Sequence, residues 1–170
     1  MAMSPYVRSL RAAVGSARLL IPSLSAIIRE PPERILLVQQ RADNAWSTPG
    51  GAIEMDETPA DAVVREVWEE TGLLVVPTRI LMVYGGPEFV VRYKNGDETQ
   101  YVSTFFECEV ISGAVRVDQE EIRRAKFWSR SEMTELNLAS WLKGLVPRLF
   151  PQDAAPWFEK PEWQPPPDKQ

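Results

Sequence analysis

Hydrophobic residues change their spacing several times along the chain, and each change predicts a new structural element. Aliphatic and β-branched runs cover residues 23–29 and Arg34–Gln40, with two prolines between them, which predicts two strands joined by a turn. Between residues 5 and 15 the apolar positions recur at helical spacing with arginines between them. The chain therefore opens with a short helical arm, which either packs on its own domain or mediates a dimer contact.

The segment Pro59–Thr71 carries helix signals at both ends. Thr58 is a good N-cap, Pro59 suits the first helical position, and Asp61 lies in the first turn. Gly72 is a natural C-terminal stop. These signals predict a helix over Pro59–Thr71.

Further strands follow this helix. Leu73–Tyr84 reads as a strand with a break at Pro77, and residues 88–94 and 99–110 flank Asn95-Gly96-Asp97, a strong hairpin signal. Short strands are predicted at Val115 and at 125–128, and helical segments at 131–135, capped by Ser131, and at 138–150. Four aromatic residues are assigned to the core: Trp68, Phe127, Trp128 and Trp141.

Length and composition favour one domain with short extensions. The chain has 170 residues, 44% of them hydrophobic, which suffices for one sizeable core. We divide it into an N-terminal arm at 1–22, a domain at 23–150 and a proline-rich tail at 151–170. The tail is expected to be extended and partly disordered because proline favours extended backbone.

Charge and cysteine content exclude several classes of partner and kinds of site. The net charge of −5 argues against a general nucleic-acid or anionic-membrane partner, and residues 10–28 are too interrupted by charge and proline to span a membrane. The single cysteine, Cys108, excludes an internal disulfide and a multi-thiolate metal site. The expected location is the cytoplasm.

The chain contains no histidine. This excludes Ser-His and Cys-His nucleophile pairs and every imidazole metal site. Acid, base and metal-binding roles therefore fall to carboxylates.

Three such carboxylates share one face of the predicted helix. Glu66, Glu69 and Glu70 stand at i, i+3 and i+4, where like charges repel unless a cation accepts their oxygens. Three glutamates on a helix are more often a solvated acidic face, but Arg65 is placed to hold a carboxylate in one orientation. Just upstream, Pro49-Gly50-Gly51 lets backbone approach a ligand closely.

These residues belong to a longer pattern that resembles the Nudix box. The pattern is a glycine, five residues, Glu, seven residues, then Arg-Glu-aliphatic-any-Glu-Glu-any-Gly-aliphatic. Every fixed position is matched, by Gly51, Glu57, Arg65, Glu66, Val67, Glu69, Glu70, Gly72 and Leu73. A looser likeness to the Nudix hydrolase family extends over residues 23–141.

The resemblance implies an α/β/α sandwich with a mixed β-sheet and a site for Mg²⁺ or Mn²⁺. By position, it makes Glu66, Glu69, Glu70 and the Gly50 carbonyl metal ligands. Arg65 would orient Glu66, while Gly51, Glu57 and Gly72 would support the site. Many family members carry a further Glu outside the box as metal ligand or base, and Glu121 is our candidate, with Glu120 next. The general base stays open among Glu66, Glu120 and Glu121.

The implied reaction is hydrolysis of a pyrophosphate bond in a small nucleotide, such as a nucleoside triphosphate or an ADP-ribose-like compound. Candidate contacts to base and phosphate are Arg41, Trp46, Tyr84 and Arg92, with Lys94 as a further cation. One alternative is a nucleotide-sensing domain that binds without cleaving, although the retained glutamates weigh against it. A second, isomerisation of a prenyl diphosphate, would need a catalytic cysteine, and Cys108 is poorly placed for that role.

Overall fold

The computed structural model describes residues 5–31, 33–117, 119–151 and 155–164. Over these residues the elements follow in the order α1 Pro5–Val14, β1 Leu19–Glu30, β2 Arg34–Gln40, β3 Trp46–Ser47, α2 Pro59–Thr71, β4 Leu73–Tyr84, β5 Val90–Arg92, β6 Glu98–Gly113, β7 Ile122–Ser129, a 3₁₀ turn Glu132–Glu135, α3 Ser140–Lys143 and α4 Val146–Leu149.

The strands form one mixed sheet of seven strands. Its main path runs β3-β2-β1-β6-β4, and β5 and β7 add to β6 and β2 respectively. β1 and β6 run parallel, whereas the other pairs are antiparallel. The mixed sheet that the family resemblance implied is therefore confirmed.

A loop fills the gap where β1 and β2 diverge. The two strands pair at Arg29 and Glu30, and beyond that point β3 takes the place of β1 beside β2. The backbone N–H groups of Leu24 and Ala26 donate instead to the carbonyls of Gly51 and Pro49. The Pro49–Gly51 backbone is thereby held against the central strand of the sheet.

Helices cover both faces of the sheet. On one face α2 buries Ala62, Val63 and Val67 against Leu24, Ala26 and other strand residues. On the opposite face the 3₁₀ turn, α3 and α4 contribute Met133, Leu142 and Leu149 to a second core around Phe105. This gives the α/β/α sandwich expected from the sequence.

The helix α2 has the predicted bounds and the predicted caps. The Thr58 side chain accepts a hydrogen bond from the Asp61 backbone N–H at 3.1 Å, and Gly72 ends the helix in the left-handed conformation with φ of 70°. The predicted break at Pro77 is milder than expected, since β4 continues past it with register shifts against β6.

Other element predictions need correction. Residues 138–150 form two short helices rather than one continuous segment, because Gly144 follows the end of α3 and Pro147, in the first turn of α4, has no N–H to donate back to α3. The Ser131 side chain makes no capping hydrogen bond, and the Ser129 hydroxyl accepts from the Glu132 N–H instead. Val115 lies in a loop, outside any strand.

The assignment of Trp68 to the core is wrong, since this side chain is 49% exposed. One residue advances about 100° around a helix, so Trp68 points away from the sheet while its neighbour Val67 packs on it. Phe127, Trp128 and Trp141 are partly buried and pack against the two cores, as predicted.

The two extensions contact the domain. The Arg11 guanidinium in α1 donates to the Glu98 carbonyl at 2.6 Å and to the Thr99 hydroxyl at 3.0 Å. In the tail, Trp157 exchanges backbone hydrogen bonds with Leu81 and Val83, which extends the sheet beyond β4. The sequence predicts an extended, partly disordered tail over 151–170, of which residues 152–154 and 165–170 lie outside the described residues.

Among the described residues, no helix is both long and apolar enough to cross a membrane.

Candidate active site

Two of the three glutamates on α2 point into the protein and one points outward. Glu66 and Glu70 are 7% and 4% exposed, whereas the Glu69 side chain is 57% exposed. The i, i+4 spacing stacks Glu66 and Glu70 on the face of α2 that meets the sheet and the Pro49–Gly51 loop. The acidic face of α2, which from sequence alone resembles a solvent-exposed face, is therefore half buried.

The Glu70 carboxylate is held by the loop and by β2. It accepts a hydrogen bond from the Gly50 backbone N–H at 3.0 Å and lies 3.5 Å from the Gln40 side-chain nitrogen. Burial, with the nearby charge of Glu66, raises the pKa of Glu70 to about 8 despite these two donors. The site therefore contains a carboxyl group that is costly to ionise without an added positive charge.

The position of Gly50 requires glycine. Its φ is 150°, and a Cβ at this position would lie 2.3 Å from the Leu24 carbonyl oxygen and 2.9 Å from the Ser25 Cα. Only a residue without a side chain lets the loop pack this closely on β1 while its N–H faces Glu70.

Arg65 links the helix to the loop that precedes it. Its Nε and Nη2 atoms donate to the two oxygens of Glu57 at 2.8 and 2.9 Å, and Nη1 donates to Glu66 at 2.9 Å and to Glu69 at 3.3 Å. Nη2 also donates to the Ala52 carbonyl at 3.2 Å. Hydrogen bonding to Arg65 lowers the pKa of Glu57, and Glu57 in turn raises the pKa of Arg65. One guanidinium thus orients the carboxylates and anchors the loop.

The predicted supporting residues lie beside this network. Gly51 is buried, and its carbonyl accepts the Leu24 N–H. Glu57 also accepts from the Glu54 backbone N–H at 3.2 Å, which closes the turn before α2. Gly72 packs closely on the strand connection after β6, where an added Cβ would lie 3.1 Å from the Ala114 carbonyl oxygen.

Glu121 lies just before β7, beside the end of β2. Its carbonyl accepts the Arg41 backbone N–H at 2.8 Å, and the next residue, Ile122, pairs with Gln40. Burial is the main cause of the raised pKa of Glu66, but the charge of Glu121 adds to it. The structure therefore brings Glu121 into electrostatic contact with the helix, whereas Glu120 is exposed.

The donor chemistry of this site fits a hard divalent cation. Its side-chain donors are carboxylate oxygens, and Glu66, Glu70 and Glu121 crowd negative charge that Mg²⁺ or Mn²⁺ would offset. Within the described part of the chain, however, no three carboxylates already converge on one point. Glu66 and Glu70 face Arg65 and Gly50 instead, so cation binding would require their side chains to turn.

Each of the four predicted substrate contacts has a partner within the protein. Trp46 is buried and meets the Trp128 ring edge-on, and Tyr84 packs between Phe89 and Trp157. The exposed guanidinium of Arg92 pairs with Glu98, and that of Arg41 lies 3.5 Å from the Gln119 side chain. Lys94 donates to the Ala42 carbonyl at 2.9 Å.

Sequence reasoning missed Gln40, which contacts Glu70 across 30 positions of the chain. It is the last residue of a strand, and the pairing of β2 with its neighbours decides that its side chain faces α2. The only available signal was a polar residue that ends an apolar run.

The fold and the carboxylate helix define a Nudix-type domain, and comparison with known proteins agrees. The NUDIX domain family model matches residues 19–149. The chain therefore belongs to the Nudix family.

Individual relatives carry several names. The chain is 33% identical to a MutT-like protein of Streptomyces ambofaciens, over 58% of this chain and 57% of the relative. It is 31% identical to an ADP-ribose pyrophosphatase of Methanocaldococcus jannaschii, over 64% and 62% respectively, and a 26% identical relative from Halorhodospira halophila is named RNA pyrophosphohydrolase. The chain thus spans about three fifths of the length of each of these relatives.

Solved structures show the same architecture. The crystal structure of a UDP-X diphosphatase superposes with a TM-score of 0.65 at 25% identity, over 85% of this chain and 68% of that one.

Proposed function

We propose that this chain hydrolyses the pyrophosphate bond of a nucleoside diphosphate linked to another moiety, with Mg²⁺ or Mn²⁺ as cofactor. The observation that carries the proposal is the burial of two neighbouring glutamates, Glu66 and Glu70, beside the Gly50 backbone. A solvated acidic helix would keep these charges in water, since burying them without a cation is costly.

Each residue of the cluster has a distinct part in this proposal. Glu66, Glu69 and Glu70 would hold the cation together with the Gly50 carbonyl. Arg65 would keep Glu66 oriented through the hydrogen bond at 2.9 Å. When bound, the cation supplies charge neutralisation for the phosphate oxygens and lowers the pKa of water at the site.

The general base is assigned to Glu121. It is half buried and interacts electrostatically with Glu66. A carboxylate there would take a proton from the water that attacks phosphorus in line with the leaving group. Glu66 is the second candidate because it belongs to the same face of the site, and Glu120 is the third.

The substrate is proposed to be a small nucleotide. The names of the relatives point to ADP-ribose and to pyrophosphorylated RNA, and the similar structure is named for UDP-linked compounds. All of these compounds contain a pyrophosphate group joined to a nucleoside. The acidic net charge favours a small molecule over a nucleic acid as the physiological partner.

A substrate panel tests the proposal. Purified protein is incubated with Mg²⁺ or Mn²⁺ and nucleoside triphosphates, ADP-ribose, UDP-sugars, dinucleotides or a triphosphorylated RNA oligonucleotide, and the products are separated by chromatography. We expect metal-dependent cleavage of at least one of these compounds at the pyrophosphate bond. Binding without cleavage across the whole panel would contradict the proposal and favour a nucleotide sensor.

We also propose a cytoplasmic location and a homodimer contact through α1. The single thiol, Cys108, is 3% exposed within the sheet, and burial raises its pKa to about 12, as suits an inert reduced cysteine. The same burial weighs against a prenyl diphosphate isomerase. On α1, half-exposed Val14 offers apolar surface for a partner subunit.

A further inference from the structure

The N-terminal helix is attached to the β5–β6 hairpin by one arginine. The Arg11 side chain is 8% exposed, and its guanidinium donates to the Glu98 carbonyl at 2.6 Å and to the Thr99 hydroxyl at 3.0 Å. Its Nε atom lies 3.5 Å from the Asp97 carboxylate. These contacts hold α1 and the start of β6 in a fixed relation.

The hairpin turn, residues 93–97, depends on this attachment. Its own hydrogen bonds run from the Tyr93 backbone N–H to the Asp97 carbonyl at 2.9 Å and from the Gly96 N–H to the Tyr93 carbonyl at 3.0 Å. Within the described part of the chain, the three residues of β5 pair only with β6. A two-stranded hairpin is weakly stable by itself, so the Arg11 contacts fix the position of its turn.

The hairpin turn contacts the β2–β3 loop, residues 41–45, through Lys94. The Lys94 ammonium donates to the Ala42 carbonyl at 2.9 Å, across 52 positions of the chain. A lysine side chain loses much rotamer freedom when it is held in one geometry. This hydrogen bond is therefore best maintained when the turn and the loop are both already in position.

The β2–β3 loop adjoins two carboxylates of the site. It follows Gln40, whose side-chain nitrogen lies 3.5 Å from Glu70, and the Arg41 backbone N–H donates to the Glu121 carbonyl at 2.8 Å. A series of contacts therefore runs from α1 through the hairpin turn and the β2–β3 loop to Glu121.

We propose that Arg11 and Lys94 are positioning residues for the site: Arg11 fixes the hairpin turn, and Lys94 on that turn fixes the β2–β3 loop beside Glu121. The consequence for catalysis rests on the proposed function, in which Glu121 is the general base. A displacement of about 1 Å at a reacting group can lower a rate by about 100-fold, so the position of this loop matters to the reaction.

Amide hydrogen exchange tests the position of the loop without turnover. The Glu121 carbonyl protects the Arg41 amide, whose exchange is followed by ¹⁵N NMR in the metal-free protein. K94Q should speed exchange at Arg41 about threefold or more, because the loop loses one hydrogen bond, whereas K94R keeps a cationic donor and should restore the slower rate. Lys143 is an exposed lysine on α3, so K143Q is the control and should match the unaltered protein. Equal Arg41 exchange in K94Q and K143Q would overturn the proposal.

A double variant tests whether Arg11 acts through Lys94. R11Q should also speed exchange at Arg41, because the hairpin turn loses its attachment to α1. In R11Q/K94Q the first substitution should add little to the effect of the second, since both act through the same contact with Ala42. If the two single effects multiply in the double variant, Arg11 does not act through Lys94 and its positioning role is excluded.

Turnover measurements separate this proposal from the proposed function. K94Q should lower kcat about threefold or more with little change in KM, because Lys94 holds the loop and does not contact the substrate. A raised KM with an unaltered kcat would assign Lys94 to substrate binding and overturn the proposal. If the unaltered protein hydrolyses no nucleotide but K94Q still speeds exchange at Arg41, the positioning of the loop stands and the hydrolase proposal fails. If hydrolysis proceeds and K94Q matches K143Q in both exchange and kcat, the positioning proposal fails alone.

Discussion

At the scale of single residues, Glu70 is a carboxylate that the fold buries beside a second carboxylate. Its side chain is almost fully buried near the charge of Glu66, and its partners are the Gly50 N–H and the more distant Gln40 amide. Two neutral donors offset only part of the cost of burying the charge. A metal-free protein therefore favours the protonated form of Glu70 at neutral pH.

The raised pKa of Glu70 makes the stability of the protein depend on pH. The pKa of Glu70 is about 8 in the folded protein and near 4.5 in the unfolded chain. Between these values the folded state binds more protons, so stability is highest below about pH 4.5 for this group and falls as pH rises toward 8. Glu66, whose pKa is also raised, acts in the same direction.

Thermal unfolding in EDTA at pH 5.5 and pH 8 checks this prediction. The unaltered protein should lose stability over this range, and E70Q should lose less because it lacks the titrating group. At pH 8, E70Q should melt higher than the unaltered protein by roughly 5 °C. If stability falls equally with pH in both proteins, ionisation of Glu70 does not destabilise the folded state.

A second prediction at this scale concerns Gly50. The substitution G50A places a Cβ 2.3 Å from the Leu24 carbonyl oxygen and must displace the loop from β1. We expect a loss of about 3 kcal/mol in unfolding free energy, together with loss of activity. Gly144 has ordinary backbone angles and open space around its Cα, so G144A is the control and should be neutral or slightly stabilising.

Denaturant titration of both glycine variants measures these changes. A G50A variant as stable as G144A would mean that the loop does not depend on the close approach to β1.

At the scale of elements, α2 is held in a fixed position by its attachment to the preceding loop. Arg65 makes a two-pronged contact with Glu57 and a further hydrogen bond to Ala52, so helix and loop hold a fixed relation. A lysine has one compact charge and cannot reproduce this fork. The orientation of Glu66 depends on the same guanidinium.

We therefore predict that R65K lowers kcat at least about tenfold and unfolding free energy by about 1 kcal/mol, through loss of the forked hydrogen bonds. The control is R34K, because Arg34 is about as exposed as Arg65 and pairs with Glu132 outside the site. Steady-state kinetics with added Mg²⁺ measures the rates. Equal kcat values for R65K and R34K would remove the positioning role from Arg65.

Features of α2 could be predicted from the sequence, whereas contacts between distant strands could not. The helix bounds and caps rest on local signals at Thr58, Pro59 and Gly72, and the box residues follow from their spacing. The contact of Gln40 with Glu70 and the joining of Trp46 with Trp128 depend on strand pairing between distant segments. Such pairing has no local signature, so these contacts emerged only from the structure.

The local pattern is misleading at Trp68. The sequence places this residue in the core, but its position on the outer side of α2 exposes it. The ring of Tyr84, a predicted substrate contact, packs between Phe89 and Trp157, and its role toward a substrate stays a prediction.

At the scale of the whole molecule, the described tail residues 155–164 pack on the domain through Trp157. Trp157 pairs with the edge of β4, its ring packs against Tyr84, and the Arg148 guanidinium lies 3.8 Å from its ring centroid. This contact covers the backbone of an edge strand that would otherwise be open to pairing with another chain.

The substitution W157A should therefore lower the unfolding free energy by about 2 kcal/mol, less than truncation of a fully buried tryptophan. W163A removes a tail tryptophan that is 75% exposed and should leave stability unchanged. Chemical denaturation of the two variants gives the comparison, and equal stabilities would mean that the tail does not contribute to the fold.

The proposed function requires the buried carboxylates of α2 to hold a divalent cation that drives pyrophosphate hydrolysis. The most direct measurement is the Mg²⁺ dependence of cleavage for the best substrate of the panel, compared among the unaltered protein, E70Q and E30Q. Glu30 is an exposed carboxylate on β1 at the turn into β2. We predict that E70Q lowers kcat by about two orders of magnitude or more while remaining folded, and that E30Q matches the unaltered protein. Hydrolysis that persists in EDTA, or a kcat for E70Q equal to that for E30Q, would contradict the account.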